Sequence, residues 1–137
     1  MTKLTFAALC AAFISTAAGA AELTIAVDGV ASNDGQIMVA VYDSADGFPA
    51  RPVRAASAPA RSGAMRLKIA DLPAGDYAFA IYHDANGNNR LDRNAVGMPT
   101  EDFAFSNNAL GERGAPRFED ARVTLPAEGA VASVNLR

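Results

Sequence analysis

Leu72-Pro73-Ala74-Gly75-Asp76-Tyr77-Ala78-Phe79-Ala80-Ile81-Tyr82-His83 is the stretch whose reading decides the fold. Tyr77, Phe79 and Ile81 recur at every second position, with Ala78 and Ala80 between them. Successive side chains of a strand point to opposite faces, so the run from about Asp76 to His83 reads as a strand with one bulky face and one small face. A tyrosine placed just after a Pro/Gly corner, at the start of a strand, is the arrangement of the tyrosine corner in Greek-key sandwiches. A plain type I or II turn followed by a core tyrosine is the other reading, and it leaves the strand unchanged.

The same period of two extends outward in both directions. Met65, Leu67 and Ile69 alternate with Arg66 and Lys68, the pattern of a strand with one face buried and one face wet. Leu23, Ile25 and Val27 mark a first strand, and Ile37, Val39 and Val41 mark the inward face of another that ends near Asp43. Turn chemistry from Asp28-Gly29 to Asp34-Gly35 suggests that these two form a hairpin. Two more strands, around 121–125 and 130–136, flank the turn Pro126-Ala127-Glu128-Gly129. Residues 44–63, rich in Ala, Pro, Ser and Arg and anchored by Phe48, read as a long connection crossing between sheets. Six strands without a long helical period predict an all-β protein, an immunoglobulin-like or transthyretin-like two-sheet antiparallel sandwich. Its expected core includes Leu23, Ile25, Val39, Val41, Leu67, Ile69, Phe79, Ile81, Leu125 and Val134.

Residues 1–20 read as a secretory signal, with Lys3 at the positive end, Leu4 to Ile14 as a short apolar core and Ala18-Gly19-Ala20 as a small-residue cleavage site. Residues 21–137 then form one domain with a single core, periplasmic or secreted, and with no later segment apolar enough to span a bilayer as a helix. The only cysteine, Cys10, falls inside the signal, and Leu9 stands where a lipidated cysteine expects a small residue. Disulfides therefore do not frame the mature domain. The chain carries a net charge of −3 and its arginines are scattered, which argues against nucleic acid as a partner because phosphate binding needs clustered cations. The expected partner is instead a protein or small ligand of the cell envelope, of unspecified identity.

Directly after the strand comes Asp84-Ala85-Asn86-Gly87-Asn88-Asn89-Arg90-Leu91-Asp92-Arg93-Asn94. Short oxygen-bearing side chains at alternate positions are the spacing of a calcium loop, since hard cations take several oxygen ligands from carboxylates, amides and carbonyls. Counted from Asp84, the sixth position is Asn89 rather than Gly and the twelfth is Ala95 rather than Glu, so this is not an EF-hand. The expected ligand set is Asp84, Asn86, Asn88, the Arg90 carbonyl, Asp92 and Glu101, holding Ca²⁺. The competing reading is a turn between strands, because Asp, Asn and Gly dominate turns for conformational reasons alone. From Ala95 to Phe118 the strand pattern breaks, and so long a segment inside a compact domain needs a reason. Phe103, Phe105 and Phe118 can tuck it against the sandwich, while Ser106, Asn107 and Asn108 offer caps or backbone mimicry.

An enzyme would have to start from His83, the only histidine, beside Asp84 and with Ser106 as its nucleophile candidate, but the order matches no nucleophile motif. Converging carboxylates at Asp84, Asp92, Glu101 and Asp102 admit acid/base work, by a hydrolase or lyase built around Asp84, Asp92 and Glu101. Without substrate-gripping aromatic or basic residues they point more to a cation. The sequence thus favours a non-catalytic exported module over the enzyme.

The run His83-Asp84, Asn86-Gly87-Asn88, Leu91-Asp92, Asn94, Gly97-Met98-Pro99, Glu101, Phe103 and Phe105-Ser106-Asn107-Asn108-Ala109 resembles the signature of the bacterial domain-of-unknown-function family 2141. Gly35-Gln36-Ile37-Met38-Val39-Ala40-Val41-Tyr42, the Leu72 to Tyr77 corner and Phe118-Glu119-Asp120-Ala121 extend the resemblance over nearly the whole mature chain. It implies a small secreted or periplasmic β-sandwich, related in general shape to prealbumin-like modules, and no assigned activity. The chain departs from that pattern at Asn89, where the loop often has Gly, and at Asp102 and Ala104, where glycine is common.

Overall fold

A computed structural model describes residues 20–137. The expected signal segment 1–20, with Cys10, lies outside the described residues except for Ala20. In chain order the elements are β1 (Ala21–Val30), β2 (Gln36–Tyr42), β3 (Arg54–Pro59), β4 (Gly63–Leu72), β5 (Gly75–Asp84), β6 (Phe103–Phe105), a 3₁₀ turn (Ser106–Asn108), α1 (Phe118–Ala121), β7 (Val123–Leu125) and β8 (Ala130–Asn135). One sheet has three strands in the order β4-β1-β8, and the other has five, β3-β2-β5-β6 with β7 also on β5. The protein is an all-β two-sheet sandwich. Among the described residues no helix is long and apolar enough to cross a membrane.

The core lies where the alternating positions of the two sheets meet. Leu23 and Ile25 of β1 stand opposite Ile69 and Leu67 of β4, while Val39 and Val41 of β2 stand opposite Ile81 and Phe79 of β5. All ten expected core residues are buried and belong to one apolar cluster, with Phe79, Ile25 and Val41 fully shielded. The Tyr77 hydroxyl donates to the Pro73 carbonyl at 2.5 Å, four residues upstream, which is the bond that defines a tyrosine corner.

Three strand-level expectations require correction. β1 and β2 do not form a hairpin, since β1 pairs with β4 and β8 whereas β2 pairs with β3 and β5 in the opposite sheet. Turn residues permit a reversal without choosing its partner. Gly35, at φ +64°, lies so close to the end of β5 that a Cβ would overlap the Asp84 carbonyl oxygen, so the chain after this turn runs beside β5. Residues 44–63 do pass between sheets but contain β3, an edge strand of small residues that pairs by its backbone with β2 and gives no apolar alternation to read. β8 runs parallel to β1, the exception in an otherwise antiparallel set.

The segment expected as one long loop from Ala95 to Phe118 includes β6 and the 3₁₀ turn, and docks through aromatic edges. Phe48 packs edge-on against Tyr42 (5.1 Å between centroids), Phe105 (5.8 Å) and Phe118 (6.2 Å), joining the segment to the outer side of the five-stranded sheet. Ser106, fully buried, bridges a gap in pairing. β7 covers β5 at Gly75–Tyr77 and β6 covers it at Ala80–Tyr82. Between them the Phe79 NH donates to Ser106 Oγ at 3.0 Å, and the same hydroxyl donates to the Ala121 carbonyl. Asn107 Nδ2 donates to the carbonyls of Asp120 and Arg122, and Asn108 Oδ1 accepts the Asn135 NH, so these polar residues take the backbone partners that a ladder would supply.

Candidate functional site: the acidic loop after β5

The alternation that turns Tyr77, Phe79, Ile81 and His83 inward puts Asp84 on the opposite face of β5. Asp84 is nevertheless 0% exposed, because the following loop folds over it. Its Oδ1 accepts the Asn88 NH at 3.1 Å and its Oδ2 accepts the Asn89 NH at 2.8 Å. The turn is tight enough to require left-handed backbone at Gly87 (φ +69°) and Asn89 (φ +61°). Asn is among the non-glycine residues that adopt this region most readily, which suits Asn89 to this turn. Asn89 Oδ1 also accepts Gln36 Nε2 at 2.8 Å, tying the loop to β2.

Asn86 and Asn88 each do two things. Their Oδ1 atoms accept backbone NH groups two residues on, from Asn88 at 3.2 Å and Arg90 at 3.0 Å, the geometry of consecutive Asx turns. Their Nδ2 atoms both donate to the Asp92 carboxylate, Asn88 to Oδ1 at 2.6 Å and Asn86 to Oδ2 at 2.5 Å. Hydrogen bonds to the charged form favour it, so Asn88 first and Asn86 second hold Asp92 below the ordinary carboxylate range. Glu101 then closes the loop from outside, its Oε1 accepting the Asp92 NH at 2.9 Å and its Oε2 the Ala85 NH at 3.1 Å. Next to this group stands Tyr82, whose hydroxyl is pushed above its usual range by burial first and then by the negative charges of Asp84, Glu101 and Asp92.

The structure thus draws Asp84, Asn86, Asn88, Asp92 and Glu101 into one hydrogen-bonded loop, with Arg90 entering through its backbone NH. The nitrogens of Asn86 and Asn88, rather than the oxygens, face Asp92, because a carboxylate accepts and only the amide NH₂ can donate to it. Among the described residues no three His, Cys, Asp or Glu side chains form a metal-holding group, so a cation here would draw on amide oxygens as well. The donor types suit that use. Each oxygen of Asp84 and Glu101 accepts one NH and keeps a second lone pair, and the set contains oxygen ligands only, the preference of a hard cation.

The match of the chain to a family model described as "Uncharacterized protein conserved in bacteria (DUF2141)" covers residues 25–133, from within β1 to within β8 and across the whole loop. The chain belongs to that family. No curated protein and no solved structure matches it. DUF2141 carries no activity in its description, so the chemistry of this member rests on its own residues.

Two residues considered for catalysis have other employment in this DUF2141 chain. His83 is buried, with Nε2 2.7 Å from the Asp34 carbonyl, and Ser106 serves the backbone of β5 and α1. A second small turn follows the acidic loop, in which Asn94 Oδ1 accepts the NH groups of Val96 and Met98, both at 3.0 Å. The alternate spacing that singled out Asp84 to Asp92 continues to Asn94, and that spacing was the available signal for this turn.

Proposed function

We propose that the protein is a non-catalytic exported module, a binding or accessory domain of the cell envelope, whose 84–94 loop holds a weakly bound calcium-like ion. The supporting observation is the assembly of Asp84, Asn86, Asn88, Asp92 and Glu101 around one loop, with spare oxygen lone pairs on its carboxylates. In this reading those side chains and the Arg90 carbonyl are the ligands. A divalent cation would supply Asp92 with the positive partner that the two amide nitrogens otherwise provide, and would order the segment that follows. The rival reading, a hydrolase or lyase built on Asp84, Asp92 and Glu101, has less support, since Asp84 is covered by the loop and the only histidine is engaged elsewhere.

Few loop carboxylates give low affinity, with a dissociation constant on the order of 10⁻⁴ to 10⁻³ M as in extracellular modules. At ten times that concentration, calcium stabilises the native state by about 1.4 kcal/mol, a rise of a few degrees in Tm. Thermal melting of chelator-treated protein, with and without calcium, tests this. Asp84→Ala and Asp92→Ala should remove the rise, and Asp46→Ala, on another turn, should keep it. A melting curve of the parent protein that millimolar calcium leaves unchanged contradicts the proposal.

A further inference from the structure

A groove of about 630 Å³ runs over the outer side of the five-stranded sheet, beside the acidic loop. Its floor follows from the register. Ala40 of β2 stands opposite Ala80 of β5, which in turn stands opposite Phe105 of β6, while Tyr82 stands opposite Phe103. Two methyl side chains at the centre of adjacent strands leave a trough between larger aromatic neighbours. The walls come from the turn after the acidic loop and from residues 110–115, and they present Val96 (82% exposed), Met98 (61%) and Leu110 (68%). Of the five large hydrophobic side chains exposed among the described residues, these three share this one groove. Scattered apolar residues need no explanation, but a contiguous rim around a concave aromatic floor marks a site, and the volume falls within the range of about 300–1,000 Å³ typical of small-molecule pockets.

The charges on the lining give the chemistry of the occupant. On the lining itself Arg93 and Arg113 contribute two guanidinium groups against the single carboxylate of Glu112, while the carboxylates of Asp84, Asp92 and Glu101 stand at the Tyr82 end of the groove. Arg93 is braced by a bond from one guanidinium nitrogen to the Gly97 carbonyl at 3.0 Å. Guanidinium groups at the edge of an apolar trough suit a ligand with an apolar body and one carboxylate or sulfonate group. We propose that this groove binds a monoanionic small molecule with a flat or elongated apolar body, lying over Ala40 and Ala80 with its anion held by Arg113 and Arg93. The proposal rests on the reading of the domain as a binding module and names the class of its ligand.

A matched pair of dyes tests it. Anilinonaphthalene sulfonate carries the anion, and phenylnaphthylamine has the same rings without it. The account expects saturable one-to-one binding of the sulfonate dye to folded protein, with the neutral dye about fivefold weaker or more, the size of one partly exposed ionic contact. Arg113→Gln should remove part of the sulfonate dye's advantage, Arg93→Gln/Arg113→Gln should bring that dye down to the level of the neutral one, and Ala40→Phe, which fills the trough, should abolish both. Equal affinity for the two dyes, absence of saturation, or unchanged sulfonate binding by Arg113→Gln overturns the proposal. The Arg113 arm decides the case alone if Ala40→Phe lacks a cooperative melt. The calcium experiment is scored on Asp84 and Asp92 and the dye experiment on Arg113 and Ala40, so failure of one is distinct from failure of the other.

Discussion

The space between the two sheets and the outer side of the five-stranded sheet are held by different forces. Between the sheets, Leu23, Ile25, Val41, Phe79 and Ile81 are shielded from water and make up an apolar cluster without special geometry beyond the alternation of strands. Outside, the aromatic edges of Phe48, Phe105 and Phe118 dock β6 and α1, and individual polar atoms fix the rest: Asp84 to two NH groups, Asp92 to two amides, Glu101 to both ends of the loop, and Ser106 to β5 and α1. Apolar burial is non-directional and tolerant, whereas each of these bonds depends on one atom in one place. The stable half therefore carries the fold, and the directional half carries the shape of the candidate sites.

The comparison predicts a ranking of mutational costs. Phe79→Ala, in the fully buried centre, should destabilise by about 3–5 kcal/mol in chemical denaturation, the usual cost of emptying an aromatic site. A loss near zero would mean that the inter-sheet core is not the main source of stability. Ser106→Ala should cost less, about 1–3 kcal/mol, because it leaves the buried Phe79 NH and the Ala121 carbonyl without partners while removing little apolar area. An effect on Ser106→Ala as large as that on Phe79→Ala would show that these directional bonds contribute as much stability as apolar burial between the sheets, and would erase the distinction.

Legibility in the sequence divides along the same line. The strands β1, β2, β4 and β5 announce themselves because burial of one face imposes period two on Leu23 to Val27, Ile37 to Val41, Met65 to Ile69 and Tyr77 to Ile81. The tyrosine corner was readable from Pro73-Ala74-Gly75-Asp76-Tyr77 for the same local reason. β3 was not, since in Arg54-Ala55-Ala56-Ser57-Ala58-Pro59 only the small Ala56 and Ala58 pack against the core at this edge, and β6 is too short to show a period. Which sheet a strand joins is decided by tertiary contacts, and so the separation of β1 from β2 and the parallel β8 lay beyond local pattern. The acidic loop was legible as a list of oxygen donors at alternate positions. The direction of each Asn amide was not, because it depends on where Asp92 arrives after the turn at Asn89. The groove over Ala40 and Ala80 escaped for a similar reason, as small residues signal space only once their neighbours across the sheet are known.

The finest difference between the two regions is electrostatic, and it leads to the most direct test of the loop. The Asn88 and Asn86 amides favour the charged form of Asp92, so its folded-state pKa lies below that of the unfolded chain. A lowered pKa contributes stability above the unfolded carboxylate value, and that contribution is lost as pH falls through the folded value. Carbon NMR titration of the Asp92 carboxyl measures this. In the parent protein it should titrate below the ordinary carboxylate range, return toward that range in Asn86→Ala/Asn88→Ala, and fall further when millimolar calcium adds a positive charge beside it. An Asp92 that titrates at the ordinary value and does not respond to calcium would contradict both the amide closure of the loop and the ion proposed to occupy it.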